Sequence, residues 1–295
     1  MECTKKKRSE WLVRLGEEIK EDKNGIFVTL TFNNDSYKSL YNDVINEAYK
    51  EINKLYNSKS VVNSNEKLIE NIKIGIKGYD MENKIATLAV RRFLERWRKK
   101  YKKSVRHWLV TELGQKNTEH LHLHGIIWTD KGEEINKIWK YGYTWTGYEK
   151  NEKKVNYVND KTINYITKYI TKTDEKHKEY KSIILCSPGI GKNYTNSHNA
   201  NNNKYKEENT EERYITRTGI KIALPIYYRN KIYSEEEREK LWVEKLDKQK
   251  RYVNGIEIDV SKNHNEYFKA LEYYRKLNKE LGYGDDKKKL EANRI

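Results

Sequence analysis

Apolar residues along the chain follow two periods. Residues 26–32, IFVTLTF, alternate: Phe27, Thr29 and Thr31 share one face and Val28, Leu30 and Phe32 the other, the pattern of a strand of mixed burial. Residues 84–103 change to the helical period. Ile85, Leu88, Ala89, Phe93 and Trp97 form an apolar stripe, and Arg91, Arg92, Arg96, Arg98, Lys99 and Lys100 cover the rest. Strands are predicted at 107–113 and 120–128, joined as a hairpin by a polar turn at 115–119. A short helix at 133–140, a strand at 143–147, a helix at 161–172 with Asp160 as N-cap, and a strand at 181–186 follow. The order βαββαβ, with one extra helix and strand, predicts an α+β fold. It is a ferredoxin-like or RRM-like central antiparallel sheet with helices packed on one face.

The flanks are less patterned. Residues 1–24 read as a charged lead-in, and 33–80 as a polar stretch, helical over 41–56 and otherwise loop. The Asn- and Lys-rich segment 189–213 reads as loop or disordered, and 214–228 as extended. Residues 234–252 and 265–281 read as charged helices. This divides the chain into a main domain at 1–231 and a basic helical C-terminal extension at 232–295.

Composition narrows the function. The 295 residues carry a formal charge of +16, which points to a polyanionic partner, although Lys- and Asn-rich codon bias produces the same excess. The two cysteines, Cys3 and Cys186, have no paired spacing, so neither a disulfide framework nor a Cys-ligated zinc is expected. No apolar run approaches the ~18 residues of a membrane helix, and the basic N-terminus lacks a signal-peptide apolar region. A soluble protein of a reducing compartment is expected. GIGK at 189–192 lacks the G-x-x-x-x-G-K-[ST] spacing of a phosphate-binding loop, which argues against an ATPase.

Two motifs carry candidate chemistry. Residues 120–124 are HLHLH, three of the seven histidines in five positions. On a strand, His120, His122 and His124 stand on one face, and Leu121 and Leu123 enter the core. Glu112, on the preceding strand, is placed to join them. Two imidazoles and a carboxylate with open positions suit a catalytic metal better than a closed structural one. Residues 164–172 are NYITKYITK. The pattern Tyr-x-x-Lys also occurs at 56–59, 228–231 and 273–276, so one occurrence in a chain with 24 Tyr means little. The tandem repeat places Tyr165, Lys168, Tyr169 and Lys172 on one helix face. Ile163, Ile166 and Ile170 form another face, which leaves both tyrosines and both lysines on the exposed side. A phenol can attack phosphorus, a neighbouring ammonium can neutralise phosphate charge, and a divalent cation can polarise the phosphoryl oxygens.

FVTLTF (27–32), HLHG (122–125) and YITKYITK (165–172), in that order, resemble the HUH endonuclease superfamily. The tandem tyrosines, with VTELG (110–114), SPGIGKNY (187–194) and GIKIALPIYYRNK (219–231), are similar to the replication initiators of microviruses, the small single-stranded DNA phages. The resemblance spans about 25–231. It implies rolling-circle replication, with origin nicking through a 5′-phosphotyrosine and a free 3′-OH. By position, His122 and His124 would be metal ligands with Glu112 as the third, and Mg²⁺ or Mn²⁺ the cofactor. Tyr165 and Tyr169 would be alternating nucleophiles supported by Lys168 and Lys172. The implied partners are single-stranded or supercoiled origin DNA and a host helicase and DNA polymerase, without a membrane, in the cytoplasm of a bacterial host. A plasmid initiator, relaxase or transposase of the same superfamily is an alternative. So is a non-catalytic basic nucleic-acid-binding protein.

Overall fold

The alternation of IFVTLTF places its second residue set against a helical layer. The computed structural model describes residues 2–56, 80–114, 119–150, 153–156, 158–171, 180–217, 219–247, 249–253, 256–261 and 263–280. The chain divides into two compact units. One comprises Asp22–Tyr169 and Lys176–Pro188, the other Met1–Glu21, Ile170–Glu175 and Gly189–Ile295.

The first unit is built on five antiparallel strands: β1 (Gly25–Thr31), β2 (Arg106–Leu113), β3 (Leu121–Trp128), β4 (Thr144–Trp145) and β7 (Ile184–Cys186). Their order across the sheet is β4-β1-β3-β2-β7. A small hairpin, β5 (Tyr148–Lys150) and β6 (Lys153–Val155), follows β4. Helices α2 (Asn34–Tyr56), α3 (Asp80–Tyr101) and α4 (Gly132–Trp139) cover one sheet face. Their Leu40, Ile45, Ile85, Phe93, Ile135 and Trp139 pack with Val28, Leu30, Leu109, Leu123 and Ile127 in one core. Full burial of one such side chain stabilises by about 1.5–3 kcal/mol, so this layer dominates the unit's stability.

The basic face of α3 is engaged within the molecule. Arg91 pairs with Glu47 and Arg92 with Asp43, both at 2.6 Å, and both carboxylates lie on α2. Arg96 donates to the carbonyls of Ile138 and Trp139, each at 2.8 Å, which satisfies the C-terminal end of α4. These arginines brace helices, a use that charge counting does not separate from phosphate contact.

The α+β antiparallel sheet matches the sequence expectation, with one correction. Helix α5 (Asp160–Thr171), which carries the tyrosines, lies on the face opposite α2, α3 and α4. Side-chain period alone cannot assign a helix to one face or the other.

The second unit corrects two further expectations. Residues 1–24 are not an irregular lead-in, because α1 runs Glu2–Glu21. Residues 189–213 are not an irregular loop. They form two 3₁₀ turns, Lys192–Asn196 and His198–Asn203, then enter β8 (Arg213–Ile215). Buried Tyr194, Tyr214 and Tyr228 pack there with Val13 and Leu224. Tyr194 donates to Asn203 at 2.6 Å, and the Asn203 amide donates to the carbonyls of Glu211 and Arg213. Asparagine content suggested disorder, yet here a buried asparagine satisfies buried backbone groups. The glycines of GIGK have a structural role as well. Gly191 sits at φ 73°, where a Cβ would come within 2.4 Å of the Arg14 carbonyl oxygen, and its N–H donates to the buried Glu18 at 2.6 Å.

Past β8 come β9 (Lys221–Ala223), α6 (Ile226–Ile232), α7 (Glu235–Asp247), the hairpin β10 (Lys250–Val253) and β11 (Ile256–Asp259), and α8 (Asn265–Glu280). The expected extension at 214–228 thus gives way to a helix at its end, and 234–252 ends in a strand. Among the described residues, no helix is long and apolar enough to cross a membrane.

Candidate active site

On the sheet face turned to α5, strand register assembles the first group. Glu112 on β2 pairs with His122 on β3, and His122 pairs with Thr31 on β1. One row along, Val110 pairs with His124 and His124 with Thr29. Leu121 and Leu123 point to the opposite, helical core, as the period of two requires. His124 is buried, and its Nε2 lies 2.7 Å from Glu112 Oε2. Its Nδ1 lies 3.0 Å from Thr29 Oγ1. Both ring nitrogens are therefore engaged, and Thr29 fixes the ring's orientation as an outer partner of a ligating histidine does. The His122 ring lies 6.3 Å from that of His124, tilted by 22°. Burial, and next the neighbouring His124, lower the pKa of His122 below the ordinary 6.5, which favours the neutral imidazole a metal requires. His120 precedes β3 and is partly exposed.

As metal donors, this group is half assembled. Among the described residues, no three His, Cys, Asp or Glu side chains are gathered tightly enough to hold an ion. Glu112 and His124 touch, and His122 stands beside them on the same face. Two imidazoles and a carboxylate have the right donor chemistry for a divalent cation, and His122 would have to turn toward the pair to complete the set.

Helix α5 is held over this face by residues that sequence reasoning passed over. Asn156 pairs with the backbone of Phe27 as an extra strand residue would: its Oδ1 accepts from the Phe27 N–H at 3.1 Å, and its Nδ2 donates to the Phe27 carbonyl at 2.7 Å. Three residues on, Asn159 caps the helix, its Oδ1 accepting from the Thr162 N–H at 3.0 Å. The expected cap, Asp160, is instead the first residue of the helix. The Asn159-x-x-Thr162 spacing was a readable signal for this start.

The capped helix buries Ile163 and Ile166, as expected, and also Tyr169, which was expected on the exposed side. Tyr169 is 4% exposed and its ring stacks on His124, with centroids 4.4 Å apart and planes at 7°. Tyr165 is 43% exposed and packs edge-on against Phe27 at 5.8 Å. The Tyr169 hydroxyl donates to the Tyr165 hydroxyl at 2.8 Å. Lys168 places its ammonium 3.9 Å from the Tyr165 ring centre and 5.1 Å from that of Tyr169, over the negative π faces. Lys172 lies outside the described residues.

The two phenols thus differ. Burial, then the Tyr165 hydroxyl and the Glu112 carboxylate, push the Tyr169 hydroxyl well above the ordinary phenol value. Helical spacing made them equivalent, and packing against His124 makes them unequal.

Residues 78–174 match a family model, that of the replication-associated protein ORF2 family. The match takes in Glu112, both histidines and both tyrosines, and leaves out β1. No curated protein and no solved structure matches the chain.

Proposed function

We propose that the protein is a replication initiator that nicks and rejoins single-stranded DNA through tyrosine, in the manner of the microvirus-type HUH endonucleases. The observation that carries this reading is the pair of hydrogen-bonded tyrosine hydroxyls held over the His124–Glu112 contact. The match of this segment to a replication-associated family supports it. In the proposed step, one tyrosine oxygen attacks phosphorus. The P–O3′ bond breaks as the new P–O(Tyr) bond forms, and the phenolic proton is balanced by the proton taken up by the 3′ oxygen. The result is a 5′-phosphotyrosine and a free 3′-OH. The reverse step by a second hydroxyl rejoins the strand.

Tyr165, half exposed, is the first nucleophile in this reading. Tyr169, buried and with its proton held, is the second, reached once the first ester has drawn Tyr165 away. Lys168 stabilises charge on the phosphate, and Lys172 has the same proposed role. Glu112, His122 and His124 would hold Mg²⁺ or Mn²⁺, which when bound supplies Lewis-acid polarisation of the phosphoryl group. Thr29 orients His124 for that purpose. Origin DNA is the proposed substrate, with a host helicase and polymerase in a bacterial cytoplasm to extend the 3′ end.

The test is a covalent adduct assay on single-stranded origin DNA with Mn²⁺, with the modified residue mapped by mass spectrometry. Wild type should form an adduct at Tyr165. Tyr165→Phe should lower first-strand adduct at least ~100-fold, an ordinary loss for a catalytic group that acts in the transition state. Tyr169→Phe should keep it and lose strand closure. Equal adduct from the Tyr165→Phe/Tyr169→Phe double variant refutes the reading.

A further inference from the structure

The lateral rows of the sheet do not stop at the histidines. Thr31, which pairs with His122, receives the carbonyl of Tyr143 on its other side, its N–H donating at 3.0 Å. Thr29, which pairs with His124, pairs with Trp145. Antiparallel register therefore puts Tyr143 in the row of Glu112 and His122, and Trp145 in the row of His124, on the same sheet face. Between Tyr143 and His122 stands only the small Thr31, whose hydroxyl is turned back to donate to the Tyr143 carbonyl at 2.9 Å. Two strand spacings of about 4.8 Å separate the backbones at either end of this row.

The aromatic rings of this face form a series. Trp145 meets Phe27 at 5.3 Å, Phe27 meets Tyr165 at 5.8 Å, and Tyr165 meets Tyr169 at 5.6 Å. Tyr143 is 68% exposed, so it adds little to any core. Its neighbour Thr144 is the residue that turns inward, bonding Asn136 at 2.9 Å. An exposed ring beside a basic helix, where Lys161 and Lys168 are exposed, suits an anionic strand whose bases have flat faces.

We propose that Tyr143, backed by Trp145, is a stacking subsite for a nucleobase of single-stranded DNA next to the scissile phosphate. This rests on the nicking function proposed above, because that function puts DNA on this face. The subsite takes any base, since stacking uses the π face rather than an edge pattern. It supplies register along the strand: a base clamped at Tyr143 holds the next phosphate over the histidine rows.

The experiment measures anisotropy of a 5′-fluorescein-labelled 20-mer of oligo(dT) in EDTA, which prevents cleavage. Tyr143→Ala should weaken binding by roughly 5- to 150-fold, the loss of one stacked base. Tyr143→Phe should bind within about twofold of wild type, because the ring rather than the hydroxyl makes the contact. The salt dependence should keep its slope in Tyr143→Ala, since no phosphate contact is removed. Photocrosslinking of a 5-iodouracil-substituted 20-mer should label Tyr143 or Trp145. Wild-type affinity in Tyr143→Ala, or failure of Tyr143→Phe to restore binding, overturns the subsite, as does crosslinking confined to other residues. The readout needs no metal and no adduct. Failure here leaves the nicking test standing, and failure of nicking leaves this measurement unchanged.

Discussion

Replacing Gly125 by alanine adds one methyl group to a fully occupied place. Gly125 follows His124 on β3 and pairs with Leu109 on β2. A Cβ built there would lie 2.0 Å from the Trp108 carbonyl oxygen, 2.8 Å from Leu109 Cα and 2.9 Å from Leu109 Cδ2. A carbon and a carbonyl oxygen rest at about 3.3–3.6 Å, so the strands would have to part by more than 1 Å. Two of the three obstructing atoms are backbone, and rotamer change cannot relieve them. Overpacking costs about 1–3 kcal/mol, and losing one or two bonds of the β2–β3 ladder adds about 0.5–1.5 kcal/mol each. A total of about 2–5 kcal/mol is a large part of an ordinary domain stability of about 5–15 kcal/mol. The measurement is urea unfolding followed by tryptophan fluorescence, which Trp97, Trp108, Trp128 and Trp139, all buried in the sheet unit, report. The midpoint should fall with an unchanged slope. The same parting would also separate Glu112 from His124, so Mn²⁺ affinity should fall with stability. Gly16→Ala in α1 is the contrast: no atom lies within 4 Å of its Cβ, and a helical Gly→Ala exchange should be neutral or stabilising by about 0.5–1 kcal/mol. If Gly125→Ala unfolded within 0.5 kcal/mol of wild type, roughly the spread of harmless surface changes, the close approach of β2 and β3 would be wrong.

Asn159→Ala removes the N-cap of the tyrosine helix and should cost about 1 kcal/mol, read as a lower urea midpoint; Asn159→Asp, which caps equally well, should restore it. His107 supplies a pH test. Burial, the largest effect, lowers its pKa below 6.5 in the folded protein. The unfolded chain then binds the proton first, so stability is complete above about pH 6.5 and declines as pH falls from there to the lower folded value. Urea midpoints from about pH 7.5 to 5 should show this decline in wild type and a shallower one in His107→Gln. An identical slope in the two proteins would assign the acid sensitivity elsewhere.

Much of the sheet unit was legible in the chain. A period of two is a local property of a strand, so His122, His124 and Glu112 had to share a face once their strands were neighbours. The helical stripe from Ile85 to Trp97 likewise had to meet a core. What stayed hidden was set by distant partners. Residues 1–24 and 189–213 looked too polar to fold, yet burial of Tyr194, Tyr214 and Tyr228 orders the second unit. The basic stripe of α3 is spoken for by α2 carboxylates and α4 carbonyls.

The tyrosines show the division most clearly. Sequence alone determined that Tyr165 and Tyr169 lie one helical turn apart with Lys168 between them, because 3.6 residues per turn allows nothing else. It could not determine which of them faces inward. That was decided by Asn156 docking on Phe27, by the cap at Asn159, and by the flat His124 ring offering Tyr169 a stacking surface. Those contacts join residues far apart in the chain. A repeat that is symmetric in sequence therefore becomes, in the folded protein, one reachable hydroxyl and one buried partner.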